Sequence, residues 1–526
     1  MLAALPATWQ ALARWLRAGL CRRCSGLLAV VLVGCAGLPA APPPPPSWLR
    51  VAPADAPLAR LAAEQGVPAG RTGFRPLLLS AAALQARLAL IAQARVGVDV
   101  QTYLLGDDNT GHQLMRALRD AAERGVRVRL LLDDLYTTGH TDLLLGLAAF
   151  PNVELRLYNP FPAGRDSALL RLGSFLADFS RLNRRMHNKL FIADGRAAIV
   201  GGRNLADAYF MRSDEGNFID FDLLCVGAVA AELGGHFDTF WNSAFAVPVQ
   251  ALADNRLDAA ARRASFDVLT RAGTGRDRLP GAVALSGPPV LADAPPLIVA
   301  DAQVYFDSPD KTAGHLPAGD LLPMAGLLGQ AHERVVIVSP YFLPSSAGLQ
   351  RMQQARARGV VVQVVTNSLV DSDEPLVSVA YGHRRMALLQ AGVRLFELST
   401  RQLQRQEPVR QALRGTVGRL HAKLGFIDDR LLLVGSMNLD PRSASTNTEL
   451  ALAINSPALT RAVLAQLQPD QNRGTYEVQL AADGQSLVWV AGGDGGDAPL
   501  TEEPAPPWWQ RLQLWLLSLL VPDDLL

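Results

Sequence analysis

Two strings in this chain are near copies of each other: MHNKLFIAD, from Met186 to Asp194, and LHAKLGFID, from Leu420 to Asp428. His187, Lys189 and Asp194 each stand 234 positions before His421, Lys423 and Asp428. The same interval separates Asn204 of VGGRN from Asn438 of VGSMN, and Arg124-Gly125-Val126 from Arg358-Gly359-Val360. Two copies of one half-domain, with no insertion between these landmarks, are the simplest account of a constant interval. The chain is therefore expected to fold as a tandem pair. Its 526 residues point the same way, because one hydrophobic core seldom serves so many.

Lysine is nearly absent elsewhere. Of 50 basic residues only three are Lys, and Lys189 and Lys423 are two of them. Arginine replaces lysine freely on a solvated surface, but its guanidinium is a wide planar fork where an ammonium is a compact point charge. A site that grips one phosphate oxygen can therefore require lysine, and the pair is read as functional. The third, Lys311, follows FDSPD and is expected either to be solvated in a loop or to touch a polar head group. The other histidines, His112, His140, His236, His315, His332 and His383, show no metal-ligand spacing, and neither a metal nor another cofactor is expected.

Periodicity gives the same order of elements in each copy. In the first, Leu79 to Ala94 has helical spacing, Val96 to Leu104 alternates as a strand, and Gly111 to Glu123 is a helix closed by Gly125. Val126 to Leu132 and Asn152 to Tyr158 read as strands. In the second, Val335 to Phe342 is a strand, Ala347 to Arg356 a helix closed by Gly359, and Val360 to Thr366 and Val393 to Leu398 are strands. This alternation predicts an α/β fold with a sheet flanked by helices. Residues i and i+2 of a strand share a face, so His187 and Lys189 would present their side chains together, as would His421 and Lys423.

The duplicated strings, each with its downstream Asn, resemble the phospholipase D superfamily. QTYLL at Gln101 to Leu105, RLNRRMHNK at Arg181 to Lys189, GGRN, and NLDPRS at Asn438 to Ser443 are most similar to bacterial cardiolipin synthases of the C-type branch. The resemblance runs from about Phe74 to the C-terminus and implies two half-domains related by a pseudo-twofold axis around one shared active site. A phosphodiester's anionic oxygens repel nucleophiles, so such a site must neutralise charge while supplying a nucleophile and a proton donor. One unprotonated His would attack phosphorus and form a phosphohistidine. The other, protonated, would donate to the leaving alcohol and then serve as base for the acceptor. The symmetric motifs leave both assignments open, and the resemblance implies His187 as the nucleophile.

Lys189, Lys423, Asn204 and Asn438 would hold the equatorial oxygens, with Ser436 as a further substrate contact. The resemblance implies that Asp220 of NFIDFD and Glu449 of NTEL each orient a motif histidine through its other ring nitrogen. Asp194 and Asp428 complete the catalytic motif and are read as bracing its turn. Arg181, Arg184 and Arg185 are candidates for an anionic lipid phosphate, and Arg442 and Ser443 for secondary contacts.

The reaction so implied makes cardiolipin from a phosphatidyl donor and phosphatidylglycerol, with phospholipids and a membrane surface as partners. Hydrolysis of the same intermediate, as by a phospholipase D, is the alternative. A nuclease and an inactive lipid-binding lipoprotein are weaker readings, the latter because both motifs are intact. Net charge is +1, and becomes −3 once Arg14, Arg17, Arg22 and Arg23 are removed. A protein tracking a nucleic-acid backbone normally carries a net basic surface, so no nucleic-acid partner is expected.

Those four arginines precede the apolar run Leu27 to Val33, the order of a secretory leader. LVGC, ending at Cys35, resembles the bacterial lipobox, which implies cleavage before Cys35, lipidation of its sulfur and attachment to a bacterial cell envelope facing the periplasm, on the inner or the outer membrane. Cys21 and Cys24 would leave with the leader, and Cys225 reads as a small core residue. The expected organisation is a leader over 1–34, a Pro-rich spacer over 35–72, half-domains over 73–250 and 301–470 joined by a connector over 251–300, and a tail over 471–526. The tail holds a hairpin, Tyr476 to Leu480 with Leu487 to Val490, and an amphipathic helix from Trp508. That helix lies either in a membrane interface or on the protein's own core.

Overall fold

The computed structural model describes residues 44–253, 257–271, 295–315, 324–467, 474–492, 498–504 and 506–518. The leader and Cys35 lie outside the described residues. In the first half, Gly97–Thr102, Arg127–Asp133 and Val153–Tyr158 run parallel. Leu190–Ala193 pairs with the free edge of Gly97–Thr102, followed in antiparallel order by Ala197–Gly201, Asp222–Gly227 and Thr72–Leu77. The second half repeats this plan. Arg334–Val338, Val361–Asn367 and Arg394–Leu398 are parallel, and Leu424–Ile427, Leu431–Gly435 and Leu450–Asn455 extend the other edge.

The strand Ile298–Phe306 belongs to both halves. Its first three residues pair with Phe74, Gly73 and Thr72, and the rest pair with Leu450–Asn455. Through it, 17 strands of the described chain form one sheet, and the strand crosses the expected boundary at residue 300.

The duplication extends to backbone detail. Asp108 caps the helix Asn109–Glu123 by accepting from the Gly111 amide at 2.9 Å, and Ser345 caps Ser346–Ala357 by accepting from Gly348 at 3.2 Å. Both helices are followed by a glycine at positive φ, 91° for Gly125 and 87° for Gly359, where a side chain would be strained. The chain then enters Arg127–Asp133 and Val361–Asn367. The first of these is buried throughout, Arg129 included, because its guanidinium meets Asp99 at 2.6 Å and Asp238 at 2.7 Å. Such partners return the charge stabilisation that burial removes.

Two segments differ from their sequence reading. Residues 44–71 are packed on the first half instead of forming a free spacer: the Leu49 amide donates to Asp238 at 2.7 Å, Trp241 Nε1 donates to Ser47 at 2.9 Å, and the helix Pro57–Glu64 buries Leu58 and Leu61. The connector contains a helix, Ala259–Leu269, whose Phe266 meets Phe150 edge-on at 5.4 Å. The tail helix Trp508–Ser518 lies on Pro375–Gln390 with Leu514 buried, while Trp508, Trp509, Leu512, Trp515 and Leu516 stay exposed. The hairpin Thr475–Leu480 with Leu487–Ala491 continues the second-half sheet beside Arg394–Leu398. Cys225 is fully buried in its strand. Among the described residues no helix is long and apolar enough to cross a membrane.

Candidate active site

The motif strands begin only after the lysines, at Leu190 and Leu424, so each His and Lys occupies an extended lead-in instead of the strand itself. Each lead-in is held by the opposite half. Met186 bridges Thr448, and the His187 amide donates to the Thr448 carbonyl at 3.0 Å. Val417–Leu420 pairs in parallel with Gly216–Ile219, and the His421 amide donates to the Ile219 carbonyl at 2.8 Å. These pairings set Glu449, the residue after Thr448, beside His187, and Asp220, the residue after Ile219, beside His421.

His187 Nδ1 stands 3.1 and 3.0 Å from the two carboxylate oxygens of Glu449, and His421 Nδ1 stands 2.6 Å from Asp220 Oδ2. All four residues are buried. A carboxylate only accepts, so each Nδ1 carries the hydrogen and each Nε2 is left for the cleft. The Lys189 ammonium donates to the His187 carbonyl at 2.7 Å, and the Lys423 ammonium to that of His421. Two histidines and two lysines thus converge, two from each half.

The carboxylates differ in their other partners. Glu449 also accepts from Ser443 Oγ at 2.9 Å and from Ser436 Oγ, whereas Asp220 Oδ1 accepts from the Phe221 amide at 2.7 Å. Position 436 corresponds to Gly202 in the first copy, where an added Cβ would come within 2.2 Å of Asp220 Oδ1. One half needs a glycine for the carboxylate to approach, and the other places a hydroxyl there. Ser436 therefore donates to Glu449 and is not among the residues that line the cleft.

Burial, opposed by Glu449, pushes His187 down to about 4. Burial together with Lys423 also lowers His421, against the pull of Asp220. For Asp220 burial acts upward, but the His421 ring outweighs it and brings the carboxyl to about 2. Glu449 is likewise held below its usual range by His187 in spite of burial. Burial brings Lys189 down to about 7 and Lys423 to about 8. Both histidines thus favour the neutral state, and an anion placed between the two ammonium groups would stabilise their charged form.

Asp194 and Asp428 do not enter the cleft. Asp194 accepts from the amides of Arg95, Val96 and Gly97 at 2.8 to 3.1 Å, and Asp428 from those of His332, Glu333 and Arg334 at 2.8 to 3.2 Å. Both adopt left-handed φ, 57° and 50°, at the turn after the motif strand. They tie that turn to the start of the neighbouring parallel strand.

The cleft between the halves has a volume of about 340 Å³ and is lined by His187, His421, Asn204, Asn438, Tyr103, Tyr209, Tyr341 and Arg442, among others. The Oδ1 atoms of Asn204 and Asn438 are buried there without a hydrogen-bond partner. An amide's oxygen and nitrogen are interchangeable by a half-turn, so each side chain can present either a donor or an acceptor to a bound group. Arg442 lines the cleft and donates to Asn183 Oδ1 at 2.8 Å, while Ser443 lies behind it on Glu449.

Of the arginines before His187, Arg185 lines the cleft, and Arg181 and Arg184 are not among its lining residues. Arg185 pairs with Asp133 at 3.1 Å, Arg181 with Asp178 at 2.6 Å, and Arg184 packs against Gly314. Lys311 is neither solvated nor in the cleft. It is buried, donating to Asp307 at 2.8 Å and to the Ser443 carbonyl at 2.9 Å, and Asp307 in turn accepts from the Glu449 amide at 2.9 Å. The rarest residue type of the chain is thus buried in all three places.

Sequence reasoning missed two groups. Tyr103 and Tyr209 stand edge-on to His187 and His421, each at 5.0 Å between ring centres. Asp133 fixes the first lead-in by accepting from the Met186 amide at 2.8 Å. Its position at the carboxyl end of a parallel strand, where ligand sites of α/β sheets gather, was the available signal.

The family described as cardiolipin synthase, phospholipase D-like domain, matches residues 88–241 and 324–470. Cardiolipin synthase C of Escherichia coli (strain K12) is 36% identical over 463 residues, covering 87% of this chain and 97% of that protein. Cardiolipin synthase B of Salmonella typhi is 27% identical, covering 72% of this chain and 75% of that protein. Among solved structures, phosphatidylserine synthase of Haemophilus influenzae Rd KW20 superposes with a TM-score of 0.52 at 17% identity, covering 77% of this chain and 87% of that one, a likeness of fold.

Proposed function

The chain belongs to the phospholipase D-like cardiolipin synthase family, and from that premise we propose that it is a phosphatidyltransferase making cardiolipin from a phosphatidyl donor and phosphatidylglycerol. The observation that carries the reading is the pair of buried histidines, each with Nδ1 on a carboxylate of the opposite half and each lining one cleft beside a lysine. His421 takes up a proton at Nε2 when the anionic phosphodiester binds beside it; His187 Nε2 then attacks phosphorus, the bond to the first alcohol breaks, and His421 gives that alcohol its proton. A phosphatidyl group then sits on His187. His421, now neutral, takes the proton of the acceptor hydroxyl, whose oxygen attacks phosphorus and frees His187. Lys189 and Lys423, with Asn204 and Asn438, hold the non-bridging oxygens throughout.

The two carboxylates support this division of labour. Glu449 shares its charge between His187 and two serine hydroxyls, which weakens its hold on a His187 proton and favours the neutral, nucleophilic ring. Asp220 makes the shorter contact, suited to stabilising His421 when it is charged. Asp194 and Asp428 brace the motif turns. The leader and Cys35 would place the enzyme, lipid-anchored, on the periplasmic side of a bacterial envelope.

Mass spectrometry of lipids after incubating pure protein with phosphatidylglycerol vesicles, with and without phosphatidylethanolamine, tests the reading. Cardiolipin is expected to exceed phosphatidic acid. Phosphatidic acid as the dominant product on both vesicle types would reject the synthase and leave a phospholipase D. Processing that is unaffected by globomycin or by Cys35→Ala would reject the anchor.

A further inference from the structure

The helix Ala168–Ala177 is built with its polarity reversed. Its buried side chains include Arg171 and Ser174, with Arg171 paired to Asp134 at 3.2 Å and lying 4.2 Å above the Phe161 ring. Its outward positions are Leu169, Leu172 and Leu176, at 76%, 53% and 64% exposure, with Leu170 and Phe179 partly exposed beside them. Spacings of three and four residues put those three leucines on one stripe. A surface helix of a globular protein normally shows the opposite arrangement. The corresponding stretch of the second half, Thr400–Leu403 and Glu407–Leu413, has the ordinary one, with Leu403 and Leu413 buried and Arg401, Glu407, Arg410 and Gln411 exposed. The apolar stripe is therefore not something the repeat requires.

The stripe adjoins the cleft. Phe175 of the same helix and Leu182 just beyond it line the cleft wall contributed by the first half. On the second half, Glu374 and Val377 line the cleft at the start of Pro375–Gln390, and that helix carries Trp508–Ser518 with its exposed tryptophans and leucines. The apolar stripe of the first half thus adjoins the opening that leads to the histidines, and the second-half helix that lines the same opening carries a further exposed apolar helix along its length.

We propose that the Leu169, Leu172, Leu176 stripe docks on a lipid bilayer, seating the cleft mouth at the membrane surface so that a phospholipid enters head group first while its acyl chains remain against the stripe. The proposal rests on the phospholipid reading of the cleft. A bilayer is the occupant that fits because a lipid phosphate at the histidines must send its chains out through this opening, and the exposed leucine stripe lies beside it. Leucine and tryptophan at such a surface are suited to the boundary between head groups and acyl chains.

The test uses the full chain carrying Leu169→Ser, Leu172→Ser and Leu176→Ser together. Turnover on phosphatidylglycerol vesicles is expected to fall about tenfold or more, while turnover of dihexanoyl phosphatidylglycerol, kept monomeric, stays within about twofold of wild type and shows that the protein is folded. A Leu172→Cys variant bearing an environment-sensitive fluorophore should shift to the blue on those vesicles, and the same label at Arg410→Cys should not. Unchanged vesicle turnover in the triple variant would overturn the proposal, as would a label already in an apolar setting through self-association of the chain. Docking by the stripe with no phosphatidyl transfer to any alcohol or to water would reject the catalytic reading and leave the docking surface standing.

Discussion

Glu449 accepts from a histidine 262 residues away, with His187 Nδ1 at 3.0 Å, and Asp220 does the same for His421 across 201 residues at 2.6 Å. Every histidine of the site is oriented by the half that does not contain it. One copy of the repeat has a nucleophile and a cation but nothing to fix the tautomer of its ring.

A lesion in either carboxylate is therefore expected to act on the other half. Asp220→Asn and Glu449→Gln should each lower kcat by about 10²- to 10⁴-fold with little change in thermal stability. His187→Ala and His421→Ala should abolish transfer, and the double variant should be no worse than either, since the two rings act as one unit. Initial rates of cardiolipin formation check this. Near-normal turnover of Asp220→Asn would remove the cross-half pairing from the mechanism.

The rate should depend on pH from two sides. Burial sets His187 at about 4, so the nucleophile stays neutral until the medium is quite acid. Burial sets Lys189 at about 7 and Lys423 at about 8, and each is charged below its value and loses that charge as pH rises through it. Affinity for an anionic phosphodiester should accordingly decline across that window, appearing as a rising KM. The bound anion restores the lysine charge, so kcat should fall less than kcat/KM. Rates against lipid concentration from about pH 4 to about pH 9 separate the two parameters.

Ser436→Ala and Ser443→Ala each remove a hydroxyl from Glu449, whose charge then acts more fully on His187. The acid limb of kcat/KM should move to higher pH by about half a unit to one unit. A serine that served only packing would lower the rate and leave the limb where it was.

Asp194→Ala removes the acceptor of three backbone amides and leaves alanine at a left-handed φ, so it should cost about 2–4 kcal/mol of stability. Asp428→Ala should cost less, because the amides it would orphan lie nearer the surface and can be hydrated. Burial raises the Asp428 carboxyl, but the amides of Glu333, Arg334 and His332 outweigh it and hold it below its usual range. That stabilisation is present above the unfolded value of about 4 and is lost as pH falls through the folded value. Thermal unfolding at neutral and acid pH reads the difference, with activity per folded molecule near wild type.

The halves, the motif residues and most strands were legible because they repeat at a constant interval and period. Val360 to Thr366, for instance, differs from the strand Val361–Asn367 by one residue at each end. The partners of the histidines were named in sequence, but not which histidine each would serve. Pairing of Gly216–Ile219 with Val417–Leu420 decides that, and it is a contact between copies that no spacing within one copy encodes. The interval itself misleads here, since it relates Glu449 to Glu215, which is exposed, while the working counterpart Asp220 lies 229 positions before Glu449. The Ser436 role was equally hidden: GGRN and GSMN differ visibly at its position, but the direction of its hydroxyl depends on the register that brings Leu450 and Glu449 alongside. Lys311 looked like a loop residue because the acidic Asp307 that buries it lies four positions upstream in a stretch without period.

The strand Ile298–Phe306 acts as a weld. Its ladder runs from one half into the other without a skipped residue, Ala300 paired with Thr72 and Asp301 with Asn455. Swinging the halves apart would tear backbone hydrogen bonds from the middle of a sheet, so the slot between the histidines has a width fixed by the fold. Alcohols and water then cannot be sorted by opening and closing the enzyme like a jaw. They compete by what arrives at a stationary aperture, and the composition of the surroundings at that aperture becomes part of the enzyme's selectivity.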